Sequence, residues 1–201
     1  RDRPQFGVTL NKAQTQGIKA LPELLELANN TAQPGIVRAT ALTLARPYAT
    51  AGTLQSARAL LKDSDPQVRI AALGMIEPAD RINRVLSVAP LLTDSIRGVR
   101  VEAARILADI PDSQIPESQR AARAAALKEY EDSLALEADW PSGSVNLSNL
   151  RMRQGRSGEA IAAFERAVAR DPGLTGAYVN LADALRQQGR EADAEKVLRQ
   201  G

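Results

Sequence analysis

The stretch VNLSNLRMRQGR at residues 145–156 returns as VNLADALRQQGR at residues 179–190, which sets a 34-residue period. A different, 31-residue period precedes it, carried by Val37-Arg38, Val68-Arg69 and Val99-Arg100. Periods of this size mark stacked helical hairpins, because a single hairpin carries an apolar face that it can bury only against its neighbours. Together they predict an all-α chain, a right-handed superhelical α-solenoid in which an array of 31-residue hairpins is followed by one of 34-residue hairpins. Arrays of this kind usually bind partners.

Composition agrees with that architecture. The chain has 201 residues, 44% of them apolar, enough for a substantial core in one domain or two abutting arrays. Aromatics make up only 3%, so close helix packing through alanine and leucine is favoured over a sandwich filled with rings. The formal charge is +2, from 26 basic and 24 acidic groups, a balance that does not point to nucleic acid.

Cysteine and histidine are both absent. The polypeptide alone therefore cannot supply a thiolate nucleophile, a disulfide, a zinc finger, a covalent c-type haem site or a histidine general base. No cofactor or metal is expected in this chain. No spacing of Asp and Glu singles out an acid and base pair, so catalysis is not expected either. No apolar run approaches the roughly 20 residues of a membrane span, and membrane insertion is not expected. No signal peptide is visible, and the chain opens on Arg1. The expectation is a piece of a longer protein whose targeting segment lies upstream.

In the 31-residue repeat, the fourth position after valine is Ala41, Ala72 and Ala103, and the seventh is Leu44, Met75 and Ile106. These offsets share one helical face. A leucine-ended helix precedes each copy, with Leu24, Leu25 and Leu27, then Leu60-Leu61, then Leu91-Leu92. The turn between the helices reads DSDPQVR at 63–69 and DSIRGVR at 94–100, with Pro66 suited to a first helical turn. This pattern resembles the short variety of HEAT repeat, over roughly residues 17–110. The first copy departs from it, with Gln33-Pro34-Gly35 in place of the aspartate turn. Arg38, Arg69 and Arg100 have two readings. One is a basic stripe that captures an acidic partner or phosphate. The other, favoured by the repetition, is a structural ladder in which Asp63 and Asp94 bridge to the arginine six residues on or to the adjoining repeat.

In the 34-residue array, Leu147, Gly155, Ala160, Phe164, Ala167 and Pro172 are followed by Tyr178, Leu181, Ala182, Gly189, Ala194 and Leu198. The pattern resembles the tetratricopeptide repeat. Small alanines let paired helices approach, and the glycines turn the chain between them. One period before Ala160 and Phe164 stand Ala126 and Tyr130, so residues 118–138 read as the second helix of an incomplete repeat. The expected division is residues 1–110 for the HEAT-like array of about three repeats, 111–119 for a linker and 120–201 for the tetratricopeptide region. Trp140, the only tryptophan, is expected to plug the joint between the arrays, with ligand stacking as the other reading.

The tetratricopeptide resemblance implies a protein or peptide partner in the groove lined by the first helices. In some members a carboxylate clamp grips a peptide C-terminus, and Asn149 and Asn180 fall on its two asparagine positions. Its lysine position is Val145 here and a third repeat is missing, so a complete clamp is not expected. Asn146, Asn149, Arg153, Asn180, Asp183 and Gln187 form the candidate polar face, which can also be read as ordinary solvated helix positions.

The run EYEDSLALEADWPSGSVNLSNLRMRQGRSGEAIAAFERAV, at residues 129–168, with a helical region before it, resembles the C-terminal part of bacterial tetratricopeptide proteins whose N-terminal portions carry multiple c-type haems. The tract Ala138-Asp139-Trp140-Pro141 carries that likeness. It implies a periplasmic parent with haem upstream of Arg1, in which this piece is a docking module.

Overall fold

A computed structural model describes residues 6–137 and 140–201. Residues 1–5 of the expected first array and Ala138-Asp139 of the tract before the second lie outside the described residues. The described residues form helices and turns, with no strand among them, as the repeat periods require. They fall into two compact units. One runs to Leu107 and takes up Asp112–Arg123; the other comprises Ala108–Pro111 and Ala124–Gly201.

The first unit contains α1 (Phe6–Gln16), α2 (Leu21–Asn29), α3 (Gly35–Ala45), α4 (Ala51–Leu60), α5 (Pro66–Ile76), α6 (Arg81–Val88) and α7 (Arg97–Ile106). Helices α2/α3, α4/α5 and α6/α7 are the successive hairpins of the first repeat, and the second helices α3, α5 and α7 pack side by side. Ala41, Ala72 and Ala103 are fully buried on those helices. A methyl group at each of these points lets neighbouring backbones approach, while Leu42, Leu73, Met75 and Ile106 fill the space beside them. Each fully buried leucine or isoleucine contributes about 1.5–3 kcal/mol of transfer free energy.

The turns are set by short polar side chains. Asp65 caps α5, its carboxylate accepting from the Gln67 N–H at 2.8 Å, with Pro66 as first helical residue. Asp80 caps α6 in the same way through the Asn83 N–H at 3.0 Å. The segment at 111–119 is more structured than a linker. It holds a short 3-10 turn (Asp112–Gln114), the buried side chain of Ile115, and the start of α8 (Glu117–Ala135). Buried Arg123 on α8 donates to the Leu107 carbonyl at the end of α7 and to Asp112.

The repeated Val-Arg pairs form a ladder in which one aspartate serves two arginines. Arg38 donates to both carboxylate oxygens of Asp63, one hairpin on, and its Nε donates to the Ala28 carbonyl near the end of α2 at 2.8 Å. Arg69 repeats the step to Asp94, with Nη2 donating to Oδ1 at 2.9 Å. The backbone carbonyls of those aspartates meanwhile accept from the arginine six residues later, Arg69 onto Asp63 at 2.7 Å and Arg100 onto Asp94 at 2.8 Å. Asp63 and Asp94 each also accept from the N–H two residues on. The guanidiniums are therefore engaged in structure, and the basic-stripe reading gives way to the ladder.

A second repeat-spanning network lies beside it. Arg46 and Arg105 both donate to Glu77, at 2.6 and 2.7 Å, and Arg105 also pairs with Glu102 at 2.8 Å. Arg46 and Glu77 occupy the same repeat position with opposite charge.

In the second unit, α9 (Pro141–Arg153) and α10 (Ser157–Arg170) form one hairpin, and α11 (Thr175–Gln187) and α12 (Glu191–Leu198) form the next, one period on. Gly155 and Gly189 close the first helices of the two hairpins with φ of 76° and 74°, a conformation that costs a side chain-bearing residue about 1–2 kcal/mol. Phe164 is fully buried at the centre of this unit, among Ala160, Ile161, Leu181, Ala182, Leu185 and Ala194.

The first unit can be probed at its caps and at its ladder. A Cβ at Gly35 would overlap the Asp65 carboxylate, so Gly35→Ala forces that cap away from α5. It should cost about 1–3 kcal/mol in urea unfolding, and markedly less in an Asp65→Ala background where the obstacle is gone. For Asp63 and Asp94, burial raises the pKa, but the arginine hydrogen bonds, the local N–H groups and the arginine charges outweigh it and hold both below the ordinary carboxylate value. Depressed carboxylates stabilise the fold above their unfolded pKa of about 3.9, and that stability is lost as pH falls through the folded value. The urea midpoint should stay level down to about pH 5 and fall below about pH 4. Asp63→Asn/Asp94→Asn should lower the neutral midpoint and blunt the acid fall.

Candidate functional site

The first helices of the two hairpins in the second unit, α9 and α11, pack against each other and carry matching polar stripes. Asn146, Asn149 and Arg153 lie at i, i+3 and i+7 on α9, and Asn180, Asp183 and Gln187 take the same offsets on α11, so each set shares a helical face. The opposite side of α11, with Ala177, Tyr178, Leu181, Ala184 and Leu185, is buried. Burial of that side is what fixes the stripe outward.

Asn146, Asn149, Asp183 and Gln187 are exposed, and Asn180 and Arg153 are half-buried. Among the described residues the side chains of Asn146, Asn149, Asn180 and Gln187 make no hydrogen bond. Their amides present both donors and acceptors to solvent. The charged members are engaged. Arg153 lies 3.5 Å from Asp109, and Asp183 accepts from Arg186 at 3.4 Å. Val145, at the clamp's lysine position, is partly buried against the Phe164 core, so the stripe presents no cation there.

At the loop after α9, Arg156 donates to Glu159 and to Glu131 of α8, both at 2.7 Å. The Arg156 hydrogen bond holds the Glu159 carboxyl below its usual range against a small opposing effect of burial. Trp140 departs from expectation. Its ring is 72% exposed at the start of α9, so it does not plug a joint. The residue is fixed by its backbone, whose carbonyl accepts from the Ser144 N–H at 3.0 Å, which leaves the indole to solvent.

A groove that the sequence reading missed opens between α9 and α10. It has a volume of about 450 Å³ and is lined by Ser144, Leu147 and Arg151 from α9 and Ala163, Arg166 and Arg170 from α10. The alignment of the two copies held the signal, because Arg151 stands where the next copy has the core residue Leu185. No group of three or more metal-ligating side chains occurs among the described residues. No helix among them is long and apolar enough to cross a membrane.

Residues 145–201 match the family model of the tetratricopeptide repeat. The matched stretch contains most of α9 and all of α10, α11 and α12, and its helical hairpins are similar to that repeat in fold. No curated protein and no solved structure matches the chain. Tetratricopeptide repeats generally mediate protein–protein interaction and are typically non-catalytic.

Since Asn149 and Gln187 are exposed and their side chains make no hydrogen bond among the described residues, Asn149→Ala and Gln187→Ala should each change unfolding free energy by under about 0.5 kcal/mol. Phe164→Ala should cost about 3–5 kcal/mol. Chemical denaturation of the three variants checks the contrast.

Proposed function

We propose that the chain is a non-catalytic protein-interaction scaffold. Asn146, Asn149, Arg153, Asn180, Asp183 and Gln187 form the surface that receives a protein or peptide segment. The supporting observation is the pair of in-register stripes on adjacent first helices, with four amides whose hydrogen-bonding capacity is unused within the described residues. An extended peptide can satisfy such amides through its backbone, and a rigid helical frame loses little entropy in holding it. On this reading the first unit is a HEAT-like array of 31-residue hairpins, supported by the Asp-Pro-x-Val-Arg turn at residues 65–69 and by the arginine ladder that recurs with the Val-Arg pairs.

The sequence order favours a second reading for the parent protein. The first array, the tract through Trp140 and the tetratricopeptide hairpins follow one another as in periplasmic proteins with multihaem N-terminal portions. In that case the scaffold docks a haem-bearing region to its partner. A Soret band in the absorption spectrum of the full-length parent, isolated from its native source, would support this, and its absence would leave a scaffold without haem.

The scaffold itself is tested by site-specific photo-crosslinking in the native host. The same partner should crosslink from positions 149 and 183 but not from Glu165, which is exposed on α10. Asn180→Arg should abolish capture without shifting the thermal melt. Equal labelling from all three positions would refute the assignment of the surface.

A further inference from the structure

The two hairpins of the second unit are close copies, so a position that differs in chemistry between them reports a difference in what covers it. In the second copy Tyr178, Leu181 and Leu185 are 8%, 2% and 2% exposed, on the helix that packs against α9 and α10 of the preceding hairpin. One period earlier the same positions are Ser144, Leu147 and Arg151, all half-buried, and they line the open groove beside α10. A packing face made of Tyr, Leu and Leu has become one of Ser, Leu and Arg. The stretch of α8 inside the second unit supplies only the second helix of the preceding repeat, with Ala126 and Tyr130 one period before Ala160 and Phe164. The sequence one period before α9, residues 107–119, holds a 3-10 turn and the start of α8 where a complete repeat would place its first helix.

Charge is concentrated in the same groove. Arg166 and Arg170 lie at i and i+4 on α10, both exposed, and no side chain among the described residues pairs with either. Like charges at that spacing repel. Arg151 faces them from α9. Its Nε is shielded from solvent without a hydrogen bond, and the Glu159 carboxylate is 3.7 Å away. Most other arginines of this unit and the first are matched to carboxylates, including Arg38, Arg69, Arg105, Arg156 and Arg186. The groove floor is Leu147 and Ala163, so the site has an apolar base between cationic walls. Among the described residues no aromatic side chain lines it for a nucleobase to stack on. An apolar floor also serves a bare anion poorly.

We propose that this groove is a second docking site, which accepts an acidic amphipathic helix from a partner protein. Leucine or alanine side chains on one face of the incoming helix cover Leu147 and Ala163. Glutamates or aspartates flanking that face pair with Arg151, Arg166 and Arg170. The inference rests on the reading of the chain as a protein-binding scaffold, but it uses a different face of α9 from the Asn146/Asn149 stripe.

The test is fluorescence anisotropy on the full chain with a labelled alanine-based helical peptide that carries leucine along one stripe and glutamate beside it. Binding should be saturable and should weaken as salt rises. Arg166→Glu/Arg170→Glu should weaken it by at least about tenfold with an unchanged melt, because both side chains are exposed. Arg151→Leu, which installs the residue of the next copy, should shift preference toward the same peptide with glutamine in place of glutamate. Asn149→Ala/Asn180→Ala should leave this binding unchanged, which separates the groove from the stripe on α9 and α11. The proposal is overturned if the glutamate peptide does not bind, if the charge-reversed variant binds it equally, or if inorganic phosphate displaces it at matched ionic strength, the sign of a simple anion site.

Discussion

In the first unit, the aspartates at the second and third hairpin turns, Asp63 and Asp94, each tie two arginines from successive repeats, and this link orients the stacking of the hairpins on either side. Each carboxylate takes the guanidinium of the hairpin before, and each backbone carbonyl takes the guanidinium of its own hairpin. Arg38 is only 4% exposed, so its charge would be very costly without Asp63 and the Ala28 carbonyl. The pair gives direction to packing that apolar contacts alone leave loose. Alanine and leucine faces can slide by a helical turn, whereas a bidentate carboxylate accepts one register. The same geometry withdraws these arginines from any role in recognition.

The second unit solves the stacking problem differently. Its hairpins meet through Phe164 and the alanines around it, with the glycine turns at Gly155 and Gly189 setting the angle of return. Polar residues are then left over on the exposed faces of α9 and α11. Ion pairs in the first unit fix register. In the second, the asparagine amides of the stripe make no hydrogen bond among the described residues, and Arg166 and Arg170 pair with no side chain among them.

The helical hairpins and their buried alanines were legible in the sequence, because each repeat period writes the packing chemistry out again at every copy. The ladder was legible in part. Asp63 and Asp94 stand out at the turn, but which arginine receives the carboxylate depends on how adjacent hairpins face each other, and no spacing along the chain encodes that. Trp140 was misread for a similar reason, since a large ring before a proline carries no information about what covers it. The stripe residues on α9 and α11 followed from the tetratricopeptide resemblance, which marks the groove-facing positions of first helices. The groove beside them did not, although the exchange of Leu185 for Arg151 between copies was visible in the alignment. An arginine in place of a leucine reads as a surface position until its neighbours, Arg166 and Arg170, are seen to lie across from it.

The most direct measurement of the central claim is a double-mutant cycle on Arg38 and Asp63, using Arg38→Met, Asp63→Asn and the double variant in urea unfolding followed by far-UV circular dichroism. If the pair fixes adjacent hairpins, each single change should cost about 3 kcal/mol, and the double variant should cost less than their sum by about 2 kcal/mol, since each partner left alone is a buried polar group without its match. Additive losses would contradict the account and would reduce the ladder to incidental contacts on a stack held by its apolar faces alone.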